Sequence, residues 1–427
     1  MNFKKTFFAV FTVLIILAGM MVPSFASEIT GEPEVADDEI IAEMPIFDLV
    51  INNPDGRTVG VCFRGLWHEY PENSLVGIEE AAKTGIDFVF ADVKKTADGV
   101  LILFADESAN RMLGVDKNIS EMTFEEISEY YLLEGSGGIS AEKSHYKVST
   151  LKEALESSRE NNFFMMLGCE AEILSDVSAL LEETLTLTST VVYCEDSVKN
   201  INNALAGCEN KPYVMGAKQG NVIFVIYSYI TKAYESSFTG VNLKTTNRYG
   251  INFYKSLLSL FDGKLRAMAN PTDSATCGIR EDSVKWWDDL ISRGYSVIMT
   301  NSPDLFVEYL ADCDTARERL EKLYEKYTKD WSLPDFASTT LNDYFKAYND
   351  AVAESEAIFA DASSSLQDIS DAATHLQKAV DDINLHFEAL EDGTAGTTIT
   401  LPRILLCIAA AAVVIAVQVY FYKKRVR

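Results

Sequence analysis

Histidine is scarce: four residues in 427, at positions 68, 145, 375 and 386, far apart along the chain. The side chain best suited to moving protons near neutral pH is therefore nearly missing. No CxxC or HExxH spacing is present, so the compact motifs that hold a transition metal are absent. The seven cysteines form no close-spaced framework, and disulfides do not define the fold. Cys62, Cys169 and Cys194 lie in apolar runs and read as small buried residues, although Cys194 and Cys208 can pair in an oxidising compartment. No glycine-rich phosphate loop follows the first apolar strand, which counts against a doubly wound nucleotide-binding sheet. Basic residues are also few, 37 against 64 acidic ones, for a net charge of −27 spread along the chain. Such a surface repels nucleic acid and anionic lipid and argues against either as a direct partner.

Two long apolar runs stand at the ends. Lys4 and Lys5 precede an apolar stretch from Thr6 to Val22, with small residues at Ser24 and Ala26. This pattern predicts a secretory signal peptide over 1–26. Ile404 to Tyr422 is apolar except for Gln418 and is followed by Lys423, Lys424, Arg425 and Arg427. At 1.5 Å per residue the run reaches nearly 30 Å, the thickness of a bilayer core, and the basic cluster stays inside. The expectation is a single-pass protein of the cell membrane, its N-terminal side extracytoplasmic and residues 423–427 a short cytoplasmic tail.

Between these ends the pattern changes twice. Residues 27–47 are acidic and read as a linker. From 48 to 312, short β-rich runs alternate with amphipathic helical stretches. Strands are predicted at Thr58–Phe63, Ile86–Val93, Val100–Phe104, Phe163–Leu167, Ser189–Cys194, Pro212–Met215, Phe238–Leu243, Leu265–Ala269 and Ser296–Thr300. Near-continuous apolar strands separated by helices imply a parallel sheet covered on both faces. About eight such units in ~260 residues fit a closed (β/α)8 TIM-type barrel. From 313 to 391 the pattern is helical only. Leu320, Leu323 and Tyr327 mark one helix, Tyr344, Tyr348 and Ala351 a second, and Ile369, Ala373, Leu376, Val380 and Ile383 a third. The fold class is thus α/β: a barrel, then a small helical bundle, a linker at 392–403 and the C-terminal transmembrane helix. Ala337 through Val380 resembles the FIVAR-type helical modules of Gram-positive surface proteins, which implies a stalk.

The stretch that carries chemistry begins where the first strand ends, in Phe63-Arg64-Gly65, and runs on to Pro71-Glu72-Asn73. The second strand holds Phe90-Ala91-Asp92, and the Asp98-Gly99 turn leads to Ala105-Asp106. Arg111, Ile119-Ser120, Leu151 with Glu153, and Thr300-Asn301-Ser302-Pro303-Asp304 follow in order. This succession resembles the glycerophosphodiester phosphodiesterase family over most of residues 58–312. There the corresponding places hold His-Arg-Gly, Pro-Glu-Asn, Glu-x-Asp, His-Asp and Thr-Asp-x-Pro-Asp. The resemblance implies hydrolysis of a glycerophosphodiester to glycerol phosphate and an alcohol. Two histidines would exchange protons, and carboxylates would hold a divalent metal.

This sequence departs from that pattern at the reacting groups. The two histidine positions are Phe63 and Ala105, and neither side chain carries a proton. The glutamate of Glu-x-Asp is Phe90, which offers a hard cation no oxygen. A later Glu-x-Lys motif falls on Leu167 and Cys169, with Glu170 expected on the opposite face of its strand. What survives is Arg64, Glu72, Asn73 and Asp92. Arg64 can fork onto a phosphate or pair internally with Asp92 or Glu72. Glu72 and Asn73 can contact a ligand or merely cap the first helix. Asp92 offers one carboxylate to a weakly held Ca2+ or Mg2+. His68, in the first strand-to-helix loop, is a candidate to replace a lost histidine, with His145 the alternative, and Trp67, Trp286 and Trp287 can act as platforms or as packing.

Three readings follow. The first is a degenerate barrel at the cell surface that binds a glycerophosphodiester, a lipid headgroup or a protein without turnover. The second is a phosphoric diester hydrolase with a rearranged site. The third is a structural scaffold on a helical stalk.

Overall fold

Among the described residues nine strands form where apolar residues run unbroken: β1 (Val59–Phe63), β2 (Phe88–Lys95), β3 (Leu101–Leu103), β4 (Phe164–Gly168), β5 (Thr190–Cys194), β6 (Tyr213–Gln219), β7 (Gly240–Lys244), β8 (Arg266–Ala269) and β9 (Val297–Thr300). All but β3 pair in parallel, in the order β1-β9-β8-β7-β6-β5-β4-β2, and β1 pairs directly with β2. The sheet is therefore closed, an eight-stranded parallel barrel, and closure leaves no free edge. The expected third strand exists but stands outside the ring. It folds back on β2 as an antiparallel hairpin, Val93 opposite Leu103, through a turn at Gly99 with φ of 84°.

The computed structural model describes residues 50–391 apart from 52, 55, 221, 245–253, 273–281 and 331–341. These described residues fall in one unit, Pro45–Arg427. The expected signal peptide at 1–26, linkers at 27–47 and 392–403, membrane span at 404–422 and tail at 423–427 lie outside them. Among the described residues no helix is long and apolar enough to cross a membrane.

Alternation along the strands divides two cores. Val59, Val61, Phe88, Phe90, Met166, Val191, Met215, Met268, Val297 and Met299 fill the barrel, and Val50 and Ile51 pack with them. The alternate residues, among them Cys62, Val89, Ala91, Leu167, Val192 and Ile298, face outward under the helices. Those helices are α1 (Leu75–Lys83), α2 (Leu151–Glu160), α3 (Leu174–Glu183), α4 (Val198–Ala204), α5 (Ile223–Glu235), α6 (Lys255–Leu258), α7 (Val284–Ser292) and α8 (Pro303–Glu325). Gly60 lets α8 approach closely, since a Cβ there would stand 2.8 Å from the Phe306 ring. Between β3 and α2 an insert packs its own small core on Ile102, Phe104, Met112, Ile119 and Leu132.

The bundle consists of α8, α9 (Asn342–Ala360) and α10 (Leu366–Glu391). Leu320, Tyr348, Ala351, Ile369, Leu376, Val380 and Ile383 form its interior, as the spacing predicts. The expected boundary at 312–313 falls inside α8, so one unbroken helix serves both barrel and bundle. The five described cysteines, Cys194 and Cys208 included, are free thiols. The possible Cys194–Cys208 pairing is thus not made. Both side chains pack into the apolar layer outside the barrel.

Candidate functional site

Parallel register lifts particular side chains to the C-terminal mouth of the barrel. Phe63 stands opposite Phe90, and Asp92 opposite Gly168, which is opposite Tyr193. Because inward residues recur every second position, Phe88, Phe90, Asp92 and Lys94 share one face of β2. The inner mouth is aromatic. Phe63 stacks on Phe90 at 5.6 Å between centroids, and Phe90 meets Tyr193 edge-on at 5.8 Å. Gly168 makes the space for this: a Cβ there would stand 2.5 Å from Phe90 Cζ. Above these rings lies a cavity of about 160 Å³, lined by Phe90, Asp92, Lys94, Ala105, Glu170, Tyr193 and Glu195 among others.

Beside it lies an ion-pair network. Arg64 Nε donates to Asp92 Oδ2 at 2.7 Å, and its Nη1 reaches Glu72 Oε1 at 3.4 Å. Asn73 grips Asp92 twice, its amide donating to Oδ2 at 3.1 Å and its carbonyl accepting from the Asp92 backbone at 3.0 Å. Arg111 donates to Glu72 and to Asp106, the latter at 2.5 and 3.0 Å. Arg64 and Asn73 hold left-handed backbone angles, φ of 60° and 56°. For arginine that conformation costs about 1–3 kcal/mol. Backbone bonds hold the turn: Arg64 N donates to Phe90 O at 2.9 Å, and Asn73 N to Arg64 O at 3.1 Å. Burial pushes the Asp92 carboxyl above its ordinary range, opposed by Arg64 and Asn73. The Arg111 guanidinium is pushed up by Glu72 and Asp106 despite its own burial.

The structure decides several sequence alternatives. Glu72 and Asn73 do not cap α1. Ser74 does, its side chain accepting from Gly77 N, while Glu72 is buried between Arg64 and Arg111. Arg64 makes the internal pair. Leu167 and Cys169 are not the inward pair of β4: Leu167 packs in the outer layer with Cys169 against it. Gly168 and Glu170 have the inward parity instead, and Glu170 lines the mouth cavity, paired with Lys94. Glu170 does lie on the opposite side from Leu167 and Cys169, as expected, but that side, shared with Gly168, is the one that faces the mouth. Lys94, Glu107, Glu195 and Lys244 were missed altogether. Lys94 bridges Glu107 and Glu170, and Lys244 pairs with Glu195. Period two along β2, continued from Asp92, would have found Lys94.

His68 is exposed, its ring against Trp67 at 3.6 Å, and no hydrogen bond among the described residues joins it to Asp92 or Glu72. Trp67 donates to Asn301 at 2.8 Å. Trp287 is no platform. It is fully buried against Phe306 and Tyr309, its indole donating to Asp282 at 2.7 Å.

A divalent metal is implied by the motif resemblance, and the donors do not fit one. Phe90 replaces one carboxylate, and Asp92 Oδ2 and Glu72 Oε1 each face a guanidinium where a cation would need them. Among the described residues no three His, Cys, Asp or Glu side chains converge as ligands.

Comparison with known proteins agrees with the motifs. Residues 64–207 match the glycerophosphoryl diester phosphodiesterase family. Glycerophosphodiester phosphodiesterase 1 of Bos taurus is 26% identical over 187 residues, 44% of this chain and 53% of its own length. The Mus musculus protein of the same name is 30% identical over 123 residues, 28% of this chain and 37% of its own. The chain thus spans about half, or less, of the length of the curated relatives it matches. Among solved structures, a glycerophosphoryl diester phosphodiesterase from Parabacteroides distasonis is similar at 16% identity and a TM-score of 0.49, covering 62% of this chain and 89% of that one. One from Agrobacterium tumefaciens is 18% identical at a TM-score of 0.45, covering 59% and 99%.

Proposed function

We propose that this glycerophosphodiester phosphodiesterase-like barrel is a catalytically idle binding domain, held outside the cell membrane by residues 404–422. The observation that carries this reading is the ring stack of Phe63 on Phe90, at one proton-transfer place and one metal-carboxylate place of the family motif. A phenyl group neither exchanges a proton nor coordinates a hard cation. Ala105, at the second histidine place, lines the cavity with a methyl group. The surviving Arg64, Glu72, Asn73 and Asp92 are bonded to one another, so they set the shape of the mouth and a fixed pattern of charge. The bundle, similar in spacing to FIVAR-type modules, serves as the stalk.

Binding without turnover has a direct signature. Glycerophosphodiesters offered to the intact protein should raise its melting temperature with increasing ligand and leave the diester intact. No thermal shift across a panel of diesters and their headgroup alcohols would leave only the scaffold reading. An active phosphodiesterase is the second reading, supported by the names of the relatives. Of its two candidate substitutes, His68 lies exposed against Trp67 and His145 is exposed in the insert before α2.

A further inference from the structure

The mouth of a parallel barrel opens at the C-terminal ends of its strands. Here that end is fixed by the loops after β1 and β9, where Trp67 meets Asn301. Helix α8, 23 residues long, begins two residues later at Pro303, and its first turns run back along the barrel. By Val307 to Arg317 it has reached the opposite end. There it lines a cavity with Arg57, Thr58, Gly85 and Ser364, residues that precede β1 and β2 or lie in the turn before α10. Its remaining turns continue past the barrel into the bundle.

Helix α10 runs in the same direction as α8. Leu366 N donates to Tyr309 OH near the start of both, and Tyr327 OH donates to Gln377 further along. The junction is fixed by Asp288 of α7, which accepts from both Tyr309 OH at 2.9 Å and Gln367 N at 3.2 Å. Arg317 closes the far side of the turn, donating to Ile358 O at 2.6 Å and Asp361 O at 3.0 Å. From Leu366 to Glu391 a helix rises about 37 Å at 1.5 Å per residue. The mouth and the exit of the described chain are thus at opposite ends, roughly 50 Å apart once the height of a five-residue strand is added.

We infer that the mouth points away from the bilayer that anchors the chain and takes its ligand from the far side, as a molecule in the medium or on a facing surface. A headgroup of the anchoring bilayer is not the ligand. The inference rests on the anchoring proposed above and narrows the partner class left open there. The twelve residues 392–403, even fully extended at about 3.4 Å each, reach roughly 40 Å. That is short of the roughly 50 Å between the exit of α10 and the mouth, so the linker does not let the chain invert and set its mouth on the anchoring bilayer.

The test uses the full chain reconstituted in phosphatidylcholine–phosphatidylglycerol vesicles that carry an energy-transfer acceptor on a fraction of the headgroups. A donor dye is coupled through an azide-bearing residue placed in turn at two exposed positions. Phe224 lies in the first turn after β6, at the mouth end, and Asn384 lies late in α10. The expected result is transfer several-fold greater from position 384 than from 224. Equal transfer, or more from 224, overturns the inference. Absence of transfer from both, with the chain failing to float with the vesicles, sinks the anchoring reading and this inference with it. Diester hydrolysis measured on the same vesicles tests the idle-site reading separately, and its outcome leaves the orientation result standing.

Discussion

Gly168 and Phe90 form a matched pair at the inner mouth, one giving up a side chain where the other brings a ring. Gly168→Ala should therefore destabilise the protein by about 1–3 kcal/mol, the usual cost of overpacking. In a Phe90→Leu background the same change should cost far less, because the ring tip is gone. Urea unfolding of the four proteins of this cycle gives the coupling directly. Equal costs in both backgrounds would mean that Phe90 does not occupy the space over Gly168. The thiols supply a second residue-scale test. Burial pushes the Cys194 thiol up to about 12, helped by Asp196, Glu172, Glu170 and Glu195. The sign is toward the neutral thiol, so thiolate is scarce at neutral pH and grows only as pH approaches that value. Alkylation of Cys194 in the native protein near pH 8 should be about 10³-fold slower than that of an ordinary thiol. Rapid labelling of Cys194 by iodoacetamide would contradict its placement.

Elements were largely legible, for reasons that differ from strand to strand. Each predicted strand is present because long apolar runs leave no other buried arrangement for their backbone groups. The hairpin strand β3 looked like a barrel strand because composition does not tell which neighbour a strand will pair with. Register is harder: period two puts Glu170 opposite Leu167 and Cys169, but in so uniformly apolar a strand nothing in the sequence says that Gly168 and Glu170 hold the inward parity. The network of Arg64 was half legible. Its partners were named, but the choice between capping and pairing needed Ser74 in place. Leu151 and Glu153, read as family motif, have a local role. Thr150 and Glu153 close a capping box on α2, with Thr150 Oγ1 accepting from Glu153 N at 3.2 Å and Thr150 N donating to Glu153 at 2.8 Å. Thr150→Ala should accordingly cost about 1 kcal/mol of stability, read as a lowered urea midpoint. No change in midpoint would show that the cap contributes nothing there.

At the scale of the whole molecule, a barrel that keeps the order of the phosphodiesterase-like motifs carries Phe63, Ala105 and Phe90 at three of their reacting places, and Arg64, Glu72, Asn73 and Asp92 are bonded to one another. Metal affinity follows from that pairing. Ca2+ and Mg2+ should bind in the mouth no better than about the millimolar range of weak oxygen sites. Calorimetry that found micromolar binding, abolished by Asp92→Ala, would show the carboxylates free to coordinate. The most direct measurement is hydrolysis of glycerophosphocholine by the full chain with Ca2+ or Mg2+, read as release of glycerol phosphate. Proton-transfer groups contribute about 10²–10⁴-fold each in general acid–base catalysis, and two are missing here. Release should be no faster than the protein-free background, and His68→Ala should leave it unchanged. Robust release by the native chain that disappears with His68→Ala would contradict this.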